Sequence, residues 1–167
     1  MSFQNAFLGS LVADAISMPV HWYYNRKSLD QDYGDFQGYC KPKAFHPDSI
    51  LWRSSYIPHG PKADILGTQT KYWGQRGIHY HQFLEAGDNT LNLQLAAELY
   101  RETIINGDFD PETWLNRYAQ VMLTPGWHQD TYAEEYHRAF FTNYSKGKPL
   151  HSCGIPDYHI GGLSQVP

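Results

Sequence analysis

The strongest constraint in this sequence is the place where helical periodicity stops. Residues 21 to 85 carry His21-Trp22-Tyr23-Tyr24, Tyr33, Phe36, Tyr39, Phe45, Trp52, Tyr56, Tyr72 and Trp73 in no regular order. That spacing follows neither the alternation of a strand nor the 3.6-residue repeat of a helix. So long a stretch without a repeat, inside a compact domain, is either functional or disordered. Disorder needs low hydrophobicity, which a chain with thirteen Tyr, eight Phe and five Trp does not have. The expectation is a long, ordered, aromatic-rich loop region over one face of a helical bundle, with room for a short strand or helical turn.

Helical patterns flank this region. Phe3, Phe7, Leu8, Leu11, Val12, Ala15 and Ile16 recur near the helical period, and Ser2 can cap them. Pro19 ends the helix, because Met18 before a proline is biased out of helical geometry. Apolar on more than one face, this helix is expected to be buried, and Asp14 within it needs a partner. After Gly87, a stripe of Leu91, Leu95, Ala96, Leu99 and Tyr100 runs to about Ile105, with Gly107 as its stop. A third helix starts at Asp110-Pro111, buries Trp114, Leu115, Tyr118, Val121 and Met122, and ends at Thr124-Pro125-Gly126. A fourth is expected from Asp130, with Tyr132, Ala133, Tyr136, Ala139, Phe140 and Tyr144 on it and Gly147 beyond. The sequence therefore predicts an all-α fold, with residues 1–167 as one domain. His159-Ile160-Gly161-Gly162-Leu163 reads as the lead-in to a further helix. The pattern is that of an N-terminal fragment, which would expose apolar surface and self-associate.

Charge narrows the partners. A net charge of -4 with no Lys/Arg run excludes nucleic acid and anionic membrane as main partners, since phosphate binding needs clustered cations. There is no basic secretory start and no apolar run of membrane-spanning length. Cys40 and Cys153 lie far apart without zinc-ligand spacing and read as thiols in a reducing compartment. The expected location is cytoplasmic, so the sequon at Asn143-Tyr144-Ser145 carries little weight.

The best candidate for chemistry is Gly87-Asp88-Asn89-Thr90, at the mouth of the best-patterned helix. Asp, Asn and Thr are favoured caps, and one cap contributes about 1 kcal/mol. Three oxygen-bearing side chains in a row exceed what one cap requires, and a hard cation such as magnesium takes oxygen ligands. On spacing alone the helix cap is the simpler account. Among the nine histidines, His79-Tyr80-His81 would aim two imidazoles the same way in a strand, but no third ligand stands at a metal spacing. His21 stands out by following the Met18-Pro19-Val20 bend. No Ser-His-Asp set can be argued from linear order, because such sets are recognised by geometry.

At these residues the chain resembles a known family. Gly9, followed by Ala13-Asp14-Ala15-Ile16-Ser17-Met18-Pro19-Val20-His21, looks like the opening helix and turn of the ADP-ribosylglycohydrolase family, including its J1-crystallin-like members. Glu85-Ala86-Gly87-Asp88-Asn89-Thr90-Leu91 is similar to that family's Thr-Asp-Asp-Thr metal motif, and His159-Ile160-Gly161-Gly162-Leu163 to a later segment. The resemblance spans nearly the whole chain in order. It implies an all-α domain that, in full-length active members, binds two magnesium ions and hydrolyses the glycosidic bond between ADP-ribose and its acceptor. Carried over by position, Asp88 is the catalytic acid; Asp88, Asn89 and Thr90 are the metal set; His21 and Asp14 are substrate-binding.

The departures are specific. Gly87 stands for the first Thr of the motif, Asn89 for its second Asp, and His21 for the Glu after Pro-Val. Ala13 and Ser17 replace two glycines, and the family's late acidic motif has no counterpart before Pro167. One carboxylate is a poor cage for two divalent cations. Two functions follow from the resemblance. One is magnesium-dependent hydrolysis of a small-molecule or protein-linked ADP-ribose-type substrate, with His21 and Asp88 facing each other across a cleft. The other is a non-catalytic, crystallin-like scaffold or inactive fragment of the same family.

Overall fold

The computed structural model describes residues 3–158. Among them the regular structure is helical, as expected, and the only β pairing is an isolated antiparallel bridge between Phe45 and Ile78. The α-helices in chain order are α1 (Phe3–Ser17), α2 (Arg26–Tyr33), α3 (Leu91–Asn106), α4 (Pro111–Met122) and α5 (Glu135–Ser145), with short 3-10 turns after α1, between α2 and α3, and after α5. Ser2 and the segment His159-Ile160-Gly161-Gly162-Leu163 lie outside the described residues. The chain divides into two compact units, residues 3–56, 68–90 and 129–132 in one, and 57–67, 91–128 and 133–158 in the other.

In the first unit, α1 gives way to a 3-10 turn at Met18–Val20, with Pro19 inside it. The helix thus stops where the proline requires. Its burial differs from expectation: Leu8 is 58% and Val12 46% exposed, and the core begins only at Ala15, Met18 and Pro19. The apolar residues are spread round α1, so its sequence marks no single face to bury, and only its last turn enters the core.

The aromatic-rich stretch is ordered, and it contains α2. Asn25 caps that helix by accepting from the Lys27 N–H, and Asp48 accepts from the Tyr24 and Asn25 N–H groups. Further on, the His46 N–H donates to the Gly77 carbonyl at 2.8 Å and the His79 N–H to the Ala44 carbonyl at 3.0 Å. Gly77 has φ +70°, and a Cβ there would collide with the Phe45 ring, so this crossing needs glycine. The bridge sets the His46 and His79 rings side by side, 5.1 Å apart.

The second unit holds α3, α4 and α5. Asp110 caps α4 by accepting from the Thr113 N–H at 2.8 Å, with Pro111 at the first helical position. Its core includes Leu91, Leu95, Leu99, Val121 and Met122, and the Tyr118 ring lies 5.1 Å from Phe140 and 5.2 Å from Phe141. Buried Glu98 on α3 pairs with Arg101 of the same helix and Arg117 of α4. His137 on α5 is buried; its Nε2–H faces Asn92 Oδ1 at 3.1 Å and its Nδ1 accepts from the Tyr118 hydroxyl at 2.6 Å. Burial pushes its pKa from 6.5 down to about 3.

One boundary is corrected. The fourth patterned helix begins at Glu135, not at Asp130. Asp130 and Thr131 are fully buried in the first unit, where the Thr131 N–H donates to the Tyr80 carbonyl at 2.9 Å and Asp130 pairs with His81. Tertiary hydrogen bonds override the local periodicity of Tyr132 and Ala133 there.

Candidate functional site

The candidate site lies in the first unit, where the end of α1 meets residues 85–90. Asp14, the acid in the apolar helix, finds its partner there. Its Oδ1 accepts from the Thr90 hydroxyl at 2.8 Å; its Oδ2 accepts from the Thr90 backbone N–H at 2.8 Å and from the Asn89 amide at 3.0 Å. The same Asn89 amide donates to the Leu11 carbonyl at 2.7 Å. Thr90 is buried and Asn89 and Asp14 are half-buried, which raises the strength of each of these charge-assisted bonds.

Asp88 does not join them. It is exposed, and its Oδ2 accepts from the Glu85 backbone N–H at 2.8 Å while its own N–H donates to the Glu85 carbonyl. Gly87, at φ +94°, makes this tight turn possible. Of the residues singled out from the sequence, the fold therefore brings Asp14, Asn89 and Thr90 together and turns Asp88 outward.

Magnesium takes oxygen lone pairs, mostly from carboxylates and water. The groups gathered on Asp14 are an amide N–H, a backbone N–H and a hydroxyl that donates, which is the complement of a carboxylate rather than a cation cage. Among the described residues no group of three or more His, Cys, Asp or Glu side chains is placed to hold a metal ion. As arranged, this set does not fit a two-magnesium centre.

His21 faces another way. Its Nε2 lies 3.2 Å from Ser17 Oγ and its Nδ1 3.0 Å from His81 Nε2. The Nδ1 of His81 in turn bonds Asp130. Burial, helped by His81, lowers the His21 pKa from 6.5 to about 4, against the pull of Asp14 and Asp130. His79 and His46 close the cluster from below. The Nε2–H of His79 donates to the Pro19 carbonyl at 2.9 Å and that of His46 to the His21 carbonyl at 2.9 Å, so both lock the bend after α1. Burial lowers both, His79 to about 3. The imidazoles of His79-Tyr80-His81 thus have different partners: His79 holds the bend, and His81 bridges His21 and Asp130.

Trp22 forms the outer wall of this cluster. Its φ of +59° is the only positive value of a non-glycine among the described residues, and for a bulky side chain that is a strained conformation. The indole stacks on His81 at 5.4 Å and 25°, and lies 4.5 Å from Tyr80. Beyond it opens a cleft of about 100 Å³ lined by Trp22, Tyr24, Ile50, Leu51, Ser54, Tyr80 and Tyr132. Asp130 and Trp22 were not legible as site residues, because their partners are distant in sequence; His81 drew notice only beside His79, and Ser17, one helical turn from His21, only as a replaced glycine. Asp130 in particular carries the signature of a helix cap.

Comparison with known proteins returns no match, whether to a family model, a curated protein or a solved structure. Among the described residues no helix is long and apolar enough to cross a membrane.

Proposed function

We propose that this chain is a non-catalytic, crystallin-like member of the ADP-ribosylglycohydrolase type, in which a hydrogen-bonded junction takes the place of the two magnesium ions. One observation carries the reading: the Asp14 carboxylate accepts three hydrogen bonds from Asn89 and Thr90. An aspartate at position 89 would set two carboxylates about 3 Å apart, which repel unless a cation lies between them or one is protonated. Asparagine supplies N–H donors instead. The junction then holds itself together with no ion.

The test is a pair of titrations on the full chain. Calorimetry with magnesium chloride is expected to show no stoichiometric binding to the native chain. Asn89→Asp is expected to lower the melting temperature in a chelating buffer and to recover it as magnesium is added, because a ligand that binds only the folded state stabilises it. Tight magnesium binding by the native chain would overturn the proposal.

A second reading, hydrolysis of ADP-ribosyl conjugates, is favoured by the electrostatic coupling of Asp14 to His21, the two positions the resemblance assigns to substrate. Release of ADP-ribose from modified arginine and serine peptides, with and without magnesium, decides it. Turnover above the buffer rate would establish the hydrolase.

A further inference from the structure

The geometry points to a second chemistry in the first unit, independent of the family resemblance: a proton relay that ends on the Ser17 hydroxyl and makes it a nucleophile toward small, neutral, activated esters. Four side chains form one line, from Ser17 Oγ to His21 Nε2, from His21 Nδ1 to His81 Nε2, and from His81 Nδ1 to Asp130. With both imidazoles neutral, the protons fit in one order. The Asp130 carboxylate offers lone pairs, so His81 carries its proton on Nδ1 and accepts at Nε2. His21 must then donate from Nδ1 and accept at Nε2. The group in place to donate there is the Ser17 hydroxyl.

This is a hydroxyl whose proton has an acceptor, with that acceptor oriented by a second imidazole and a carboxylate, the arrangement that activates serine for attack. The line also runs from core to surface. Asp130 is fully buried and His81 is 3% exposed, whereas Ser17 and His21 are half-buried. Asp14, whose carbonyl also lies 3.2 Å from Ser17 Oγ, competes for the same proton. Ser17 sits in the last turn of α1, where the free backbone groups are carbonyls rather than N–H donors. An oxyanion formed there gains little stabilisation, so the expected behaviour is covalent trapping with slow turnover.

The step balances as follows. Ser17 Oγ attacks the acyl carbon, its proton passes to His21 Nε2, the carbon–oxygen bond to the leaving group breaks, and the leaving group takes the proton from His21. Water then hydrolyses the acyl-serine by the same route. With a fluorophosphonate the new bond is oxygen to phosphorus and fluoride leaves. His81 and Asp130 act as positioning residues.

The experiment is labelling of the full chain with a fluorophosphonate probe, followed by intact mass and peptide mapping. One equivalent on the peptide holding Ser17 is expected, and none in Ser17→Ala. His21→Gln, on the half-buried side of the relay, is expected to slow labelling by roughly a hundredfold, the usual contribution of a general base. The groups facing His21 are Ser17 and Asp14 from α1, His79, His81, Asp130, and His46 at its carbonyl. The labelling rate of the native chain should therefore be level near neutral pH and fall as His21 protonates toward its pKa of about 4. Circular dichroism of each variant separates loss of reactivity from loss of fold. No label on the native chain, or undiminished label in Ser17→Ala, would overturn the relay as a reactive site and leave it a structural network.

Discussion

Asp14 and Asp88 make a controlled pair of aspartates. Asp14 accepts three hydrogen bonds across the chain, whereas Asp88 accepts one in an exposed local turn. A hydrogen bond to a charged group contributes about 1.5–3 kcal/mol, and its loss also strands a buried donor. Asp14→Ala is thus expected to cost about 3 kcal/mol and Asp88→Ala under about 1 kcal/mol, read from urea midpoints. The reverse order would mean that the junction is misplaced. That Asp14 required a partner was legible in the sequence, since an acid in an apolar helix cannot remain unpaired. That Asn89 and Thr90 would be that partner was not, because nothing local links positions 14 and 89. Asp88 drew attention for its residue type and its place after a loop, and the glycine beside it lets that place become a turn facing solvent.

At the scale of elements, local chemistry read well where it acts locally. The α4 start followed from Asp110-Pro111, and Asp110→Ala is expected to cost about 1 kcal/mol of stability, the usual contribution of a cap. The α3 stripe also read correctly: Leu95 is fully buried, and Leu95→Ala should cost about 2–5 kcal/mol. By contrast, Leu8→Lys on α1 should change stability by less than about 0.5 kcal/mol, because that side chain is already in water. Thermal unfolding of the two leucine variants checks both; equal losses would show that α1 is covered after all. The start of α5 was misplaced for the opposite reason. Asp130 and Thr131 have helical-looking neighbours, but their hydrogen bonds go to Tyr80 and His81, and a one-dimensional pattern carries no trace of that.

For the molecule as a whole, the buried imidazoles set the response to acid. His21, His46, His79 and His137 are all held neutral by burial, with pKa values below the 6.5 of a free histidine. Below pH 6.5 the unfolded chain takes up protons that the folded chain refuses, so stability falls as pH falls through the window from 6.5 toward 3–4. Each such group adds a slope of up to about 1.4 kcal/mol per pH unit. Urea denaturation repeated across that window should show a steep decline that sets in above the range where carboxylates titrate; a flat profile would contradict the burial of these rings. The all-helical class was legible from periodicity, whereas the division into two units was not, because residues 57–67 and 129–132 each leave their sequence neighbours. The hydrogen bonds of the histidines carry one further consequence. His46 and His79 in the first unit and His137 in the second each keep a ring N–H out of water on a fixed acceptor. Such protons exchange slowly and resonate far downfield, so an unlabelled sample carries its own magnetic markers, by which the opening of each unit can be timed separately.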